Sequence, residues 1–318
     1  MPSSFSTVAT VLFSIFVLVT AYQSPYRPMP ADCPSTPLVR YAPPSDPLGG
    51  DGICQAELNY IIHRYQNAQT SLANWLQSID ATFCNSNSSI PVLALTTSGG
   101  GYRSLLTGAG IIQGFDLREN LTGVSGIFQS LTYHAGLSGG AWLLSALGGN
   151  NYPTISYLRD YLWVDAFRGS LLKPFFDPGS GTFRHMQTDV RSKNRAGFHV
   201  TLTDSWARIL SQKLLLKPND KNTLSGITGS SSFINFEVPY PIITALGVDK
   251  GNFPNPNGPQ YEFHPFEFGS WDSGVNAFMQ TAYLGSSLSN GQPSNNPESC
   301  VTNFDNIGFI LGRLLSFS

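Results

Sequence analysis

IFQSLTYHAGLSGGAWLLSALGG, residues 127–149, decides how this chain reads. Ile127 to Tyr133 has the composition of a buried strand, Gly136 to Gly140 that of a tight turn, and Ala141 to Leu147 that of a helix closed by Gly148 and Gly149. The same alternation occurs upstream in PVLALTTSGGGYRSLLTGAGIIQG, residues 91–114. There a short strand, Val92 to Thr97, runs into Gly99–Gly100–Gly101 and then a helical stretch from Tyr102 to Gly114. Successive strand–loop–helix units predict an α/β fold with a mostly parallel central sheet flanked by helices.

The two loops carry the chemistry. Gly136-Leu137-Ser138-Gly139-Gly140 places a serine where a strand turns sharply into a helix, with glycines where side chains would obstruct the turn. Such an elbow lifts the hydroxyl clear of the backbone at a helix N-terminus, whose free N–H groups favour developing negative charge. Alone, the pattern reads equally well as a serine cap beside packing glycines. The glycine loop changes that balance, because its amides emerge at the end of a second strand. Gly100 and Gly101 are the expected oxyanion donors, each such donor being worth about 3 kcal/mol in a transition state. Arg103 is placed for bidentate pairing of its guanidinium with a phosphate or a carboxylate, and Gly99 and Gly139 line the same place. For a base, the chain order allows Ser138, Asp249 and His264, although neither partner lies in a diagnostic motif. His134, four residues before Ser138, is expected to support the elbow rather than act as base, and His63, His185 and His199 to be structural.

Outward from these motifs the chain is less telling. Val8 to Ala21 is an apolar run ending in small residues, so residues 1–21 are expected to be a signal peptide and the protein to be secreted, extracellular or in a cell wall. Residues 22–56, rich in Pro and Gly, form an expected extended strap pinned by Cys33 and Cys54, and residues 57–318 the catalytic unit. Cys33, Cys54, Cys84 and Cys300 suit one or two disulfides in an oxidising compartment, with three pairings open. Asn87 and Asn120 begin glycosylation sequons. Leu58, Ile61, Ile62, Tyr65, Leu72, Trp75 and Leu76 predict a helix packed on the core, and Thr203 is the expected cap of a helix from Asp204 to Leu215. A net charge of −2 argues against nucleic acid as a partner, and no Cys or His spacing suggests a metal.

SGGGYRSLLTGAG at 98–110 and GLSGGAW at 136–142 resemble the fungal phospholipase B and lysophospholipase family, which is related to the catalytic domain of cytosolic phospholipases A. The resemblance continues through TLTDSWARILSQ at 201–212, YEFHPFEFGSWD at 261–272 and CVTNFDNIGFILG at 300–312. It implies a patatin-like acyl hydrolase core and release of fatty acid from phospholipids or lysophospholipids, at a membrane or micelle surface. It further implies an acyl-serine on the residue matching Ser138, an oxyanion hole at Gly99 to Gly101, a phosphate contact at Arg103, and no essential cofactor or metal.

The resemblance also implies a Ser/Asp dyad whose aspartate is followed by glycine and lies beyond the CVTNFDN segment. In this sequence the only Asp-Gly is Asp51–Gly52, in the strap, and the role does not transfer to it. The chain is therefore expected to be the N-terminal part of a longer enzyme, with Cys300 expected to be parted from its partner. Two rivals stay open: a lipid-binding chain without turnover, and a Ser-His-Asp carboxylesterase.

Overall fold

The computed structural model describes residues 24, 26–41, 52–83, 90–121, 123–171, 173–216, 222–247, 258–294 and 299–313. The expected leader, Asp51, Cys84, the Asn87 sequon and Asp249 lie outside the described residues.

In chain order the strap supplies β1 (Met29–Ala31) and β2 (Val39–Tyr41), followed by α1 (Gln55–Ile79). Next come β3 (Leu93–Thr97), α2 (Gly101–Phe115), β4 (Leu131–Leu137) and α3 (Gly139–Gly149). A helical segment follows, made of α4 (Ile155–Leu158), a π-turn (Arg159–Trp163) and α5 (Val164–Ala166). Then come α6 (Gly181–Arg195), α7 (Leu202–Leu214), α8 (Ser231–Ile234) and β5 (Tyr240–Leu246). The chain continues through β6 (Gln260–Phe263), β7 (Glu267–Ser270), β8 (Ala277–Gln280), β9 (Leu288–Ser289), β10 (Gln292–Pro293), β11 (Cys300–Thr302) and α9 (Ile307–Arg313).

Seven strands form the central sheet in the order β2-β8-β7-β6-β5-β4-β3. The α/β class is as expected, but the sheet is mixed rather than mostly parallel. Only β3, β4 and β5 run parallel, while β5 to β8 and β2 pair antiparallel. The physical reason lies in the connections: parallel neighbours need a long crossover, which α2 and the helices between α3 and β5 provide, whereas β6, β7 and β8 follow one another through short loops.

Helix α3 is apolar all round and buried along nearly its whole length, which makes it the central helix of the core, in contact with α2, α7 and α9. Helix α1 forms as expected and buries the expected Leu72, but most of its inward row is turned by about one residue. Tyr60, Arg64, Ala68 and Leu72 are buried, while Ile62 is exposed. The buried Arg64 explains the rotation: its guanidinium donates to the carbonyls of Leu131 (2.8 Å), Gln129 (2.6 Å) and Phe236 (3.0 Å), satisfying backbone just ahead of β4 and β5. Apolar count alone does not reveal that requirement.

Two further expectations change. The strap is tied by a Cys33–Cys300 disulfide, so Cys300 has its partner here, and Cys54 is a free thiol that serves as N-cap of α1 instead of pinning the strap. Helix α7 is capped by Thr201, not Thr203, because the Asp204 carboxylate accepts the Thr201 N–H at 2.9 Å. That carboxylate is itself held by Lys193 and by the Tyr26 hydroxyl, so the start of α7 is set from outside the helix.

Candidate active site

Parallel pairing of β3 with β4 brings the two glycine motifs together. Thr97 lies opposite Gly136, so Ser98–Gly101 and Leu137–Gly140 leave the sheet at the same edge, the carboxyl ends of adjacent parallel strands. Ser138 sits between β4 and α3 with φ 51° and ψ −119°, a strained backbone conformation for a side-chain-bearing residue. Its carbonyl accepts the Trp142 N–H at 3.0 Å and so opens the helix.

The motifs interlock through backbone. A Cβ on Gly139 would lie 2.2 Å from the Gly101 carbonyl oxygen, and one on Gly140 would lie 2.1 Å from the Thr97 carbonyl oxygen. A Cβ on Gly99 would stand 3.6 Å from the Ser138 Oγ, which places this part of the loop against the hydroxyl. Gly100 has φ 144° and Gly101 φ 62°, and these positive angles let the loop turn directly into α2. Amides of the first helical turn have no intrahelical acceptor and are free for an anion. The Ser104 hydroxyl closes the loop by donating to the Ser98 carbonyl.

Arg103 is exposed in the first turn of α2 and, among the described residues, has no carboxylate partner. It lines a cleft of about 270 Å³ together with Ser98, Gly99, Ser104, Thr107 and Ile111. Thus Gly99 meets Ser138 and Gly139 meets Gly101, whereas Arg103 opens on a cleft whose lining includes Gly99 but not Ser138. Asn120 is exposed in the turn region after α2, away from these loops in sequence, and its sequon partner Thr122 lies outside the described residues.

The histidines do not join them. His134 is buried with its Nε2 3.0 Å from the Thr97 Oγ1, and burial lowers its pKa to about 3, so the neutral ring braces β4 against β3. His264 is also buried, and burial, followed by the Arg40 charge, lowers its pKa to about 3; its Nδ1 lies 2.7 Å from the Tyr240 hydroxyl. Leu137 pairs with Thr244 and Ile243 with Phe263, so His264 stands two strands across and three residues back from Ser138. That separation is about 14 Å at ordinary sheet spacings. The Ser138–His264 pairing of a carboxylesterase triad is therefore corrected by the sheet register. Among the described residues, no side chain hydrogen-bonds the Ser138 hydroxyl.

Two supports escaped the sequence. The Thr244 hydroxyl donates to the Gly136 carbonyl at 3.2 Å, holding the elbow from β5. Tyr102 packs on Phe167 and Trp142, with centroids 4.6 and 5.8 Å apart, fixing the start of α2 against α3. Tyr102 and Trp142 stand directly after the two motifs, whereas no local signal points from Thr244 to the elbow.

The lysophospholipase catalytic domain family model matches residues 93–316, from the start of β3 onward. The chain belongs to this family. It is 37% identical over 297 residues to probable lysophospholipase 5 of Schizosaccharomyces pombe, covering 90% of this chain and 46% of that protein. Lysophospholipase 1 of Candida albicans is 35% identical, with 93% and 50% covered. The chain thus spans about half the length of these family members. In fold it is similar to human GIVD cytosolic phospholipase A2, with TM-score 0.67 at 21% identity, over 88% of this chain and 33% of that one. The glycine loop and serine elbow described above both fall within the matched part of the family.

Proposed function

We propose that this chain carries the serine nucleophile, oxyanion hole and phosphate contact of a lysophospholipase that hydrolyses fatty-acyl esters of phospholipids or lysophospholipids. The observation that carries the proposal is the backbone interlock of the Gly99–Gly101 loop with the strained Ser138 elbow. In this reading the Ser138 Oγ attacks the ester carbonyl carbon, and amides of Gly100 and Gly101 receive the charge developing on the carbonyl oxygen. Arg103 pairs with the phosphate, which sets the ester over the hydroxyl. The glycerol oxygen leaves with a proton, and water then releases the fatty acid from the acyl-serine. The curated relatives named lysophospholipase support the substrate class.

The proton carrier is the aspartate that the family resemblance implies; among the described residues, no aspartate hydrogen-bonds the Ser138 hydroxyl. Asp305, the one in the CVTNFDN segment, sits by Ile307 at the far end of α3, where a Cβ on Gly149 would lie 3.0 Å from Ile307. A second reading is lipid binding without turnover. A fluorophosphonate probe tests the first: it should label Ser138 and leave Ser138→Ala unlabelled. Labelling at another residue sinks the assignment. Labelling of Ser138 together with no fatty-acid release from lysophosphatidylcholine selects the second reading.

Secretion belongs to the same proposal. The apolar run at 8–21 and the Cys33–Cys300 disulfide support it, since such bonds persist in oxidising compartments. Glycans on Asn87 and Asn120 would follow, and an endoglycosidase mobility shift of the exported protein tests both.

A further inference from the structure

The helical segment from α4 through α5 has two unlike faces. Ile155, Leu158, Trp163 and Ala166 are buried against the core. Tyr157, Tyr161 and Val164 point the other way, 44%, 72% and 47% exposed. Their spacing of four and then three residues makes one row along the helix. The Tyr157 and Tyr161 rings lie against each other with centroids 4.6 Å apart. The π-turn at Arg159–Trp163 inserts an extra residue, which carries the inward position on to Trp163 and leaves Tyr161 in the outer row.

This row lies along α2, with its Val164 end toward the glycine loop. At one end of the segment Phe167 packs on Tyr102, the residue before Arg103. At the other end the Gln113 amide of α2 donates to the Ser156 hydroxyl at 2.8 Å. The segment therefore runs beside the helix that starts at the glycine loop.

Charge selects the partner. Arg159 pairs with Asp160 at 2.6 Å and Arg168 with Asp165 at 3.5 Å, so the segment is dipolar without net charge. A face for anionic membrane would carry an excess of Lys and Arg. A neutral row of two tyrosines and a valine, edged by guanidinium–carboxylate pairs, matches the phosphate and quaternary ammonium of a zwitterionic head group. Tyrosine rings settle at that depth and attract the ammonium through their faces. We infer that Tyr157, Tyr161 and Val164 form the surface on which this protein seats on a zwitterionic phospholipid interface, alongside α2. The purpose of that seating rests on the hydrolase proposal; the binding itself does not.

The test is sedimentation of the full Ser138→Ala chain with phosphatidylcholine vesicles, where no lipid is consumed. Adding Tyr157→Ser, Tyr161→Ser and Val164→Ser should weaken partitioning by about ten-fold or more. All three positions are exposed, so an unchanged melting temperature is expected to accompany the loss. Unchanged partitioning overturns the inference, as does binding that needs anionic lipid. Light scattering that shows the triple variant abolishing a dimer, with vesicle binding intact, also overturns it by making the row an interface between two copies. Loss of partitioning in the variant supports the docking surface even where fluorophosphonate fails to label Ser138, an outcome that removes only the hydrolase reading.

Discussion

Replacing Gly139 by alanine should separate the two halves of the candidate site. The added Cβ would meet the Gly101 carbonyl oxygen at 2.2 Å and its nitrogen at 2.7 Å, where ordinary contact begins at 3.4 Å. Both neighbours are backbone, so no side chain can swing aside, and relief requires the loop and elbow to part by about 1.2 Å. Displacements near 1 Å in a reacting geometry cost about 100-fold in rate. Overpacking of this kind also destabilises by about 1–3 kcal/mol, a drop of roughly 2–12 °C in melting temperature. Stopped-time labelling with a fluorophosphonate reads the first effect and a thermal melt the second. Gly110→Ala is the control, since its Cβ meets nothing within 4 Å on the exposed side of α2. It should leave the labelling rate intact and stabilise by up to about 1 kcal/mol. Labelling of Gly139→Ala at the wild-type rate would refute the claim that backbone contact between the two motifs positions the nucleophile.

Stability should depend on pH through Glu57. Burial, and then the charges of Glu262 and Glu267, raise its pKa to about 8, so folding favours the protonated form. Its contribution is fully present below the ordinary carboxyl range and lost as pH rises toward 8, and Glu57→Gln should flatten a melting-temperature profile across that window. His134 and His264 act oppositely: with pKa values lowered to about 3, they cost stability as pH falls from about 6.5, the ordinary imidazole value, toward 3. His264→Ala should lower the melting temperature by breaking its contact with Tyr240, yet leave the labelling rate of folded protein unchanged; a selective loss of labelling would restore the triad reading. The Cys33–Cys300 bridge closes a separation of 267 residues, so Cys300→Ser should cost about 2–5 kcal/mol in a denaturant melt, and no loss would mean the strap is held by its strands alone.

The glycine motifs were legible because their constraints are local. A strand that turns into a helix within five residues needs glycine at fixed places, and the serine between them stands out by position. Arg64 and the inward face of α1 were not legible. That face is chosen by unpaired carbonyls of residues about 65 to 170 positions away, and no periodicity in α1 encodes them. The strap was misread for the same reason: cysteine spacing carries no information about which thiols meet, and β1 pairs with β11 across the whole chain.

By itself the sequence determined the two strand–loop–helix units, the serine at the elbow and the family, since each depends on residue types a few positions apart. Only the tertiary structure decided that the sheet is mixed, that Gly139 and Gly101 touch, and that His264 lies on a distant strand from Ser138. Those facts follow from register between strands far apart in the chain, which is set by packing of the whole core and not by any short run of residues.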